Sequence, residues 1–243
     1  MKETMKNSVH FVLQGKGGIG KTLISTFIGQ WINEKEPGTL KSFDTDQENA
    51  TLAAYKGLNV TAIDVMNEDR TINRKMFDKM MLDILATDEN IVIDNGANTF
   101  SPLMSYLMEN QFIDLLQDSG KNVYIHSIIG GGDNLKDTMS GFASLAKQTS
   151  CPMIVWLNEN ASWGGTDNFI DSDVFVKNSK NVRGIILLQS RNSDTFGDDI
   201  KRMQKARLTL NEVMESPDFN VLERSRLNSV FRDVYKKLDA VEW

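Results

Sequence analysis

The sequence predicts a single α/β domain with a mainly parallel central sheet and helices on both faces. Short apolar, β-rich runs alternate with amphipathic helical stretches along the whole chain, as repeated strand–helix–strand units require. The length of 243 residues fits one domain. Hydrophobic residues at 40% and charged residues at 25% are ordinary for a globular chain, and a core of this size needs no covalent staple.

Taken in order, residues 8–14 form an apolar run without helical period, closed by Gly15, and read as a buried strand. Leu23, Ile24, Phe27, Ile28, Trp31 and Ile32 then mark one face of a helix over 21–34. Pro37 and Gly38 end it. Residues 39–43 read as the next strand, leading into Asp44. A helical stretch comes next near 47–57, then a short strand over 60–65. Helical spacing of Met76, Phe77, Met80, Met81, Ile84 and Leu85 predicts a helix over 74–86.

IVID (91–94) is a strand ending on an acid, and 102–117 reads as one helix. VYIHSII (123–129) is a strand closed by Gly130, Gly131 and Gly132, followed by a helix over 134–148. MIVWLN (153–158) and VRGIILL (182–188) are further strands, and 196–240 is mostly helical. Between those two strands, 159–173 is the most loop-like stretch, fit for a mobile cover or a partner loop.

Composition narrows the function. No apolar run approaches the ~18 residues of a membrane span, and the N-terminus lacks a signal-peptide core. The single cysteine, Cys151, excludes an internal disulfide framework and a cysteine-rich zinc site. The expectation is a cytoplasmic protein, with peripheral contact at the inner membrane left open. A net charge of −6 argues against a dedicated nucleic-acid binder. Residues 200–237 nevertheless carry nine basic and five acidic residues, +4, which leaves −10 for the rest. The expected reading of that segment is a docked helix with a solvated face; contact with DNA or anionic lipid is the alternative. His10 and His126 lie in strands without a second ligand at metal spacing and read as core or edge histidines.

The chemistry centres on Gly15-Lys16-Gly17-Gly18-Ile19-Gly20-Lys21-Thr22, which matches the phosphate-binding P-loop, G-x-x-x-x-G-K-[ST]. It follows a strand and opens a helix, the context the motif needs. Glycines let backbone N–H groups converge on phosphate oxygens, and the helix N-terminus adds its positive end. Lys21 suits the β- and γ-phosphates of ATP, and the Thr22 hydroxyl suits Mg²⁺. Asp94, at the end of the next apolar acid-terminated strand, fits the second magnesium-holding position.

Lys16, directly after the first glycine, makes the loop KGGIGKT. This resembles the deviant Walker A ATPases, the family of ParA and MinD. The resemblance implies an ATP-bound homodimer in which Lys16 crosses to the phosphates of the other subunit. It also implies that Asp44-Thr45-Asp46 is a switch segment, with Asp46 orienting water and Asp44 in the Mg²⁺ or switch network, the reverse assignment remaining open. A turn or helix cap is the structural alternative for both acids. Asn49 fits the same pattern. Asn158 stands where the family has an asparagine that hydrogen-bonds adenine, although Leu188-Gln189-Ser190-Arg191 lacks the family's proline.

The stretches VLQGKGG, FDTDQENAT, VIDNGA and VWLN together resemble the TraL family of plasmid conjugal-transfer proteins. That resemblance implies an accessory ATPase with a partner in the conjugation machinery. Asp94-Asn95-Gly96-Ala97 departs from the Asp-Thr-Pro-Pro of ParA, so a partition role does not carry over. Two other classes stand beside the switch ATPase: a binding module with negligible hydrolysis, and a small-molecule kinase. The 159–173 loop contains no arginine, which counts against the kinase.

Overall fold

The computed structural model describes residues 6–46, 50–67, 69, 71–160 and 162–243. Asn49 and part of the stretch expected to be helical near 47–57 lie outside the described residues. The remainder of that stretch forms a pair of single 3₁₀ turns, 52–54 and 56–58, in place of a longer helix.

Among the described residues, seven strands form one wholly parallel sheet: β1 (Ser8–Leu13), β2 (Leu40–Asp44), β3 (Val60–Ala62), β4 (Asn90–Asp94), β5 (Asn122–Gly130), β6 (Met153–Asn158) and β7 (Val182–Leu188). Their order is β3-β2-β4-β1-β5-β6-β7. β1 therefore lies centrally, and the chain must cross over β4 to reach β2. Every strand feeds its carboxyl end to the same edge, where parallel α/β sheets bind ligands.

Helices α1 (Lys21–Lys35), α2 (Met76–Leu85), α3 (Phe100–Glu109), α4 (Phe112–Asp118), α5 (Leu135–Gln148), α6 (Asp173–Asn178), α7 (Asp198–Ala206), α8 (Leu210–Glu215) and α9 (Val221–Leu238) cover the two faces. Alternation within β1 shows why two cores form. Val9, Phe11 and Leu13 enter the core beneath α2–α5, while Val12 enters the core beneath α1 and α9. The expected helix over 102–117 is two helices. Gln111 adopts a left-handed backbone (φ 53°) and breaks the run, so that Ile113 and Leu116 can turn inward separately.

The basic C-terminal segment docks on the sheet. Leu227, Phe231, Val234 and Leu238 of α9 are buried, and Phe231 meets Phe27 of α1 edge-to-face at 4.8 Å. Three of its nine basic residues pair with acids: Arg226 with Asp199, Arg202 with Glu223, and Lys237 with Asp233. Capping boxes at Thr209/Glu212 and Asn220/Glu223 start α8 and α9. No helix among the described residues is long and apolar enough to cross a membrane.

The histidines are core residues, as expected, but they form a directed chain across the sheet. The Trp156 indole donates to His126 Nδ1 at 3.0 Å. An indole can only donate, so the neutral His126 carries its proton on Nε2 and gives it to His10 Nδ1 at 2.9 Å. His10 Nε2 then donates to Ser8 Oγ at 3.0 Å, and Ser8 Oγ donates to Asn90 Oδ1 at 2.7 Å. Burial holds both imidazoles neutral, pushing His10 down to about 3 and His126 well below its ordinary value.

Candidate functional site: the phosphate loop and its acids

Strand register assembles the site. β2 and β4 pair so that Asp44 sits beside Asp94, and β1 pairs with β4 at Val12 and Asp94. The loop from Gly15 to Gly20 leaves β1 next to these acids and opens α1. Gly18 (φ 73°) and Gly20 (φ 95°) both take left-handed backbone, which a side chain would strain. The space around Gly20 is also filled, since a Cβ there would lie 2.8 Å from Asn158 Nδ2.

Thr22 Oγ1 donates to Asp94 Oδ2 at 2.7 Å, and Ser25 Oγ donates to Asp94 Oδ1 at 2.9 Å. Asp94 is almost wholly buried, and burial pushes its carboxyl up to about 7 despite those two donors and Lys21. A carboxylate held in this way favours a cation beside it. A hydroxyl and a carboxylate oxygen side by side are a suitable donor pair for Mg²⁺. Lys21 is buried, and its Nζ donates to the Lys16 carbonyl at 2.9 Å across the loop. Burial lowers the Lys21 pKa, while Asp94 and Asp46 oppose that shift.

The two acids of the second segment have different surroundings. Asp44 turns both oxygens to backbone N–H groups, of Asp46 and Ala53, each at 3.0 Å. These bonds tie Asp44 to the segment that follows it, on both sides of residues 47–49. Asp46 instead borders the cleft formed by Gly17, Lys21 and Thr22. Gly96 fits beneath it: a Cβ on Gly96 would lie 2.9 Å from the Asp46 Cα.

Lys16 does not face its own phosphate cleft. Its ammonium pairs with Asp137 of α5 at 2.8 Å, a contact exposed on both sides. Asn158 Nδ2 donates to the Ile19 carbonyl at 2.8 Å and ties the end of β6 to the P-loop. The amide is thereby oriented, and Oδ1 is the atom that can accept.

Sequence reasoning does not reach Ser25, Asp137, the Thr45–Asn95–Thr99 hydroxyl and amide cluster behind Asp94, or Gln204 of α7, which borders the phosphate cleft. Ser25 has a local signal. It sits one turn after Lys21–Thr22 on α1, at the spacing that faces the same neighbour. The others depend on tertiary contacts between distant segments.

A parallel sheet with a P-loop after its central strand, a Thr–Asp pair and a buried lysine define a P-loop nucleotide-binding type of site. No protein-family model matches the chain. Two proteins of Escherichia coli, each called Protein TraL, are 38% and 37% identical over 238 and 237 residues. The matches cover 96% and 95% of this chain and 97% of each relative. The chain belongs to the TraL family. Among solved structures, the MinD cell division protein of Aquifex aeolicus aligns over 97% of this chain and 98% of its own, with TM-score 0.52 and 13% identity. A MinC:MinD complex of the same organism gives TM-score 0.51 and 12% identity over 97% of both chains. The fold is that of MinD.

Proposed function

We propose that the chain is an ATP-dependent molecular switch of the deviant Walker A kind, serving as an accessory ATPase in plasmid conjugal transfer. The observation that supports it most is the Thr22–Asp94 hydrogen bond of 2.7 Å beside the buried Lys21. It puts a hydroxyl, a carboxylate and an ammonium at one helix N-terminus.

In this reading the loop N–H groups and Lys21 bind the phosphates of ATP, and Thr22 with Asp94 holds Mg²⁺. The ion would neutralise phosphate charge when bound. Asp46 orients the attacking water, and Asp44 keeps the segment that carries Asp46 in place. Asn158 offers Oδ1 to the amino group of adenine, which suits ATP better than GTP. Two copies then close face to face, with Lys16 leaving Asp137 for the phosphates of the other subunit. Hydrolysis, slow unless a conjugation partner stimulates it, resets the pair. Binding energy is spent on the state of the protein rather than on a chemical product.

The test is mass in solution with Mg-ATP, with Mg-ADP and without nucleotide, for the wild type and Lys16→Ala, together with phosphate release. A dimer formed only with ATP and lost in Lys16→Ala is expected. A monomer in every condition, with nucleotide bound, refutes the bridging role of Lys16. ATP bound without any phosphate release, alone or with conjugation proteins added, refutes the ATPase and leaves a binding module.

A further inference from the structure

Beside the phosphate cleft lies a cavity of about 190 Å³. Its floor includes Leu23 and Phe27 of α1, and its walls include Asn158, Asn160 and Ser162 on one side and Phe196 on the other. Leu23 borders both this cavity and the phosphate cleft, and Asn158 is bonded to the P-loop at Ile19. The cavity thus continues the phosphate site in the direction a nucleoside would extend.

The wall carrying Asn160 and Ser162 is a tight turn. Trp163 N and Gly164 N both donate to the Asn160 carbonyl at 2.9 Å, and Ser162 N donates to Asn160 Oδ1 at 2.8 Å. The back of this turn lies directly on the backbone that ends β5. A Cβ on Gly131 would overlap the carbonyl oxygen of Gly164 and come within 2.6 Å of that of Gly165. A Cβ on Gly132 would overlap the carbonyl oxygen of Trp163. The obstacle in each case is main chain, so nothing short of moving the turn makes room.

We propose that this glycine-to-backbone seam, Gly131–Gly132 against Trp163–Gly165, is the device that positions the nucleoside-binding wall. The inference rests on the nucleotide reading above. Gly131 and Gly132 are positioning residues that act through Asn160 and Ser162. The two differ usefully. Gly132 has φ 57°, where any side chain is strained, whereas Gly131 has φ −79°, open to all residues. Gly131→Ala therefore perturbs the seam without perturbing the preferred backbone of the residue itself.

The experiment is calorimetric titration of the full chain with Mg-ATP and, separately, with magnesium tripolyphosphate, which lacks the nucleoside. Gly131→Ala is expected to weaken Mg-ATP by about tenfold while leaving tripolyphosphate within about twofold. Should Gly131→Ala fail to fold, Asn160→Ala takes its place. It removes the side chain that closes the turn, adds no bulk, and is expected to give the same loss confined to ATP. Equal weakening of both ligands, or of neither, overturns the positioning role. A wild type that binds neither ligand overturns the nucleotide reading itself, a result distinct from an unchanged ratio in the variant.

Discussion

Replacing His10 by Phe should remove about 2 kcal/mol of acid destabilisation between pH 7 and pH 5. In the native protein burial pushes His10 down to about 3, from the ordinary value of 6.5. A base lowered in this way leaves stability intact above pH 6.5. Stability is lost as pH falls, because the unfolded chain takes up a proton the folded one refuses. At pH 5 the unfolded histidine is favoured by roughly 1.5 pH units, or about 2 kcal/mol, and folded His10 is still neutral. The groups around it are His126 and Tyr124, with Trp243 packed edge-on. His126 contributes a loss of the same sign in both proteins. Asp94, raised to about 7, works oppositely, since its folded form is relieved on acidification. It is present in both proteins and cancels in the difference. The assay is urea unfolding of wild type and His10→Phe at pH 7 and pH 5, compared as a double difference. The variant will be less stable at pH 7, because Ser8 and His126 lose a partner. Its loss on acidification must nonetheless be smaller than that of the wild type. Equal losses in the two proteins would refute the neutral, directed histidine chain.

The site itself yields three more expected outcomes. Lys21→Ala should lower nucleotide affinity by about 100-fold or more in calorimetric titration, since it removes a buried ammonium facing Asp94 and Asp46; retained affinity would argue against the phosphate site. Gly96→Ala should force the Asp46 backbone aside, so phosphate release should fall by about tenfold or more while ATP affinity changes little. A proportionate loss of affinity would place Asp46 in binding instead. Ser25→Ala leaves Asp94 one donor short and should cost about 1–3 kcal/mol in unfolding experiments without magnesium; a neutral substitution would mean that Thr22 alone satisfies the carboxylate.

The P-loop, its strand and its helix are legible in the sequence because each is encoded locally, by an apolar run, a glycine pattern and a helical stripe lying end to end. The strands on either side are legible for the same reason, with β6 and β7 matching at both ends. Asp94 stands out because an acid ending an apolar run is itself a local signal. The split at Gln111 does not, since Met108 and Phe112 keep helical spacing across the break and only the left-handed residue interrupts it. The difference in surroundings between Asp44 and Asp46 is equally hidden. It depends on which carboxylate meets the N–H of Ala53, nine residues on, and no spacing rule states that. The seam at Gly131 and Gly132 is visible as a run of glycines, but its reason lies about 32 residues away in the carbonyls of 163–165.

The resting partner of Lys16 bears on how the proposed switch could work. A lysine destined for another subunit has to be released from its own at small cost. The pair with Asp137 meets that condition, because both side chains remain substantially exposed, at 37% and 58%. Exposed pairs of this kind contribute little, because water and salt screen them. Lys21 is held differently, buried and bonded within the loop. The two lysines of one motif are thus bound with very different firmness. Release of the two Lys16 side chains of a dimer then adds no more than about 30-fold to its dissociation constant. Asp137→Asn should accordingly strengthen ATP-dependent dimerisation by about two- to 30-fold in sedimentation experiments and leave monomeric ATP affinity unchanged. A weaker dimer would show that Asp137 serves the closed state rather than the open one.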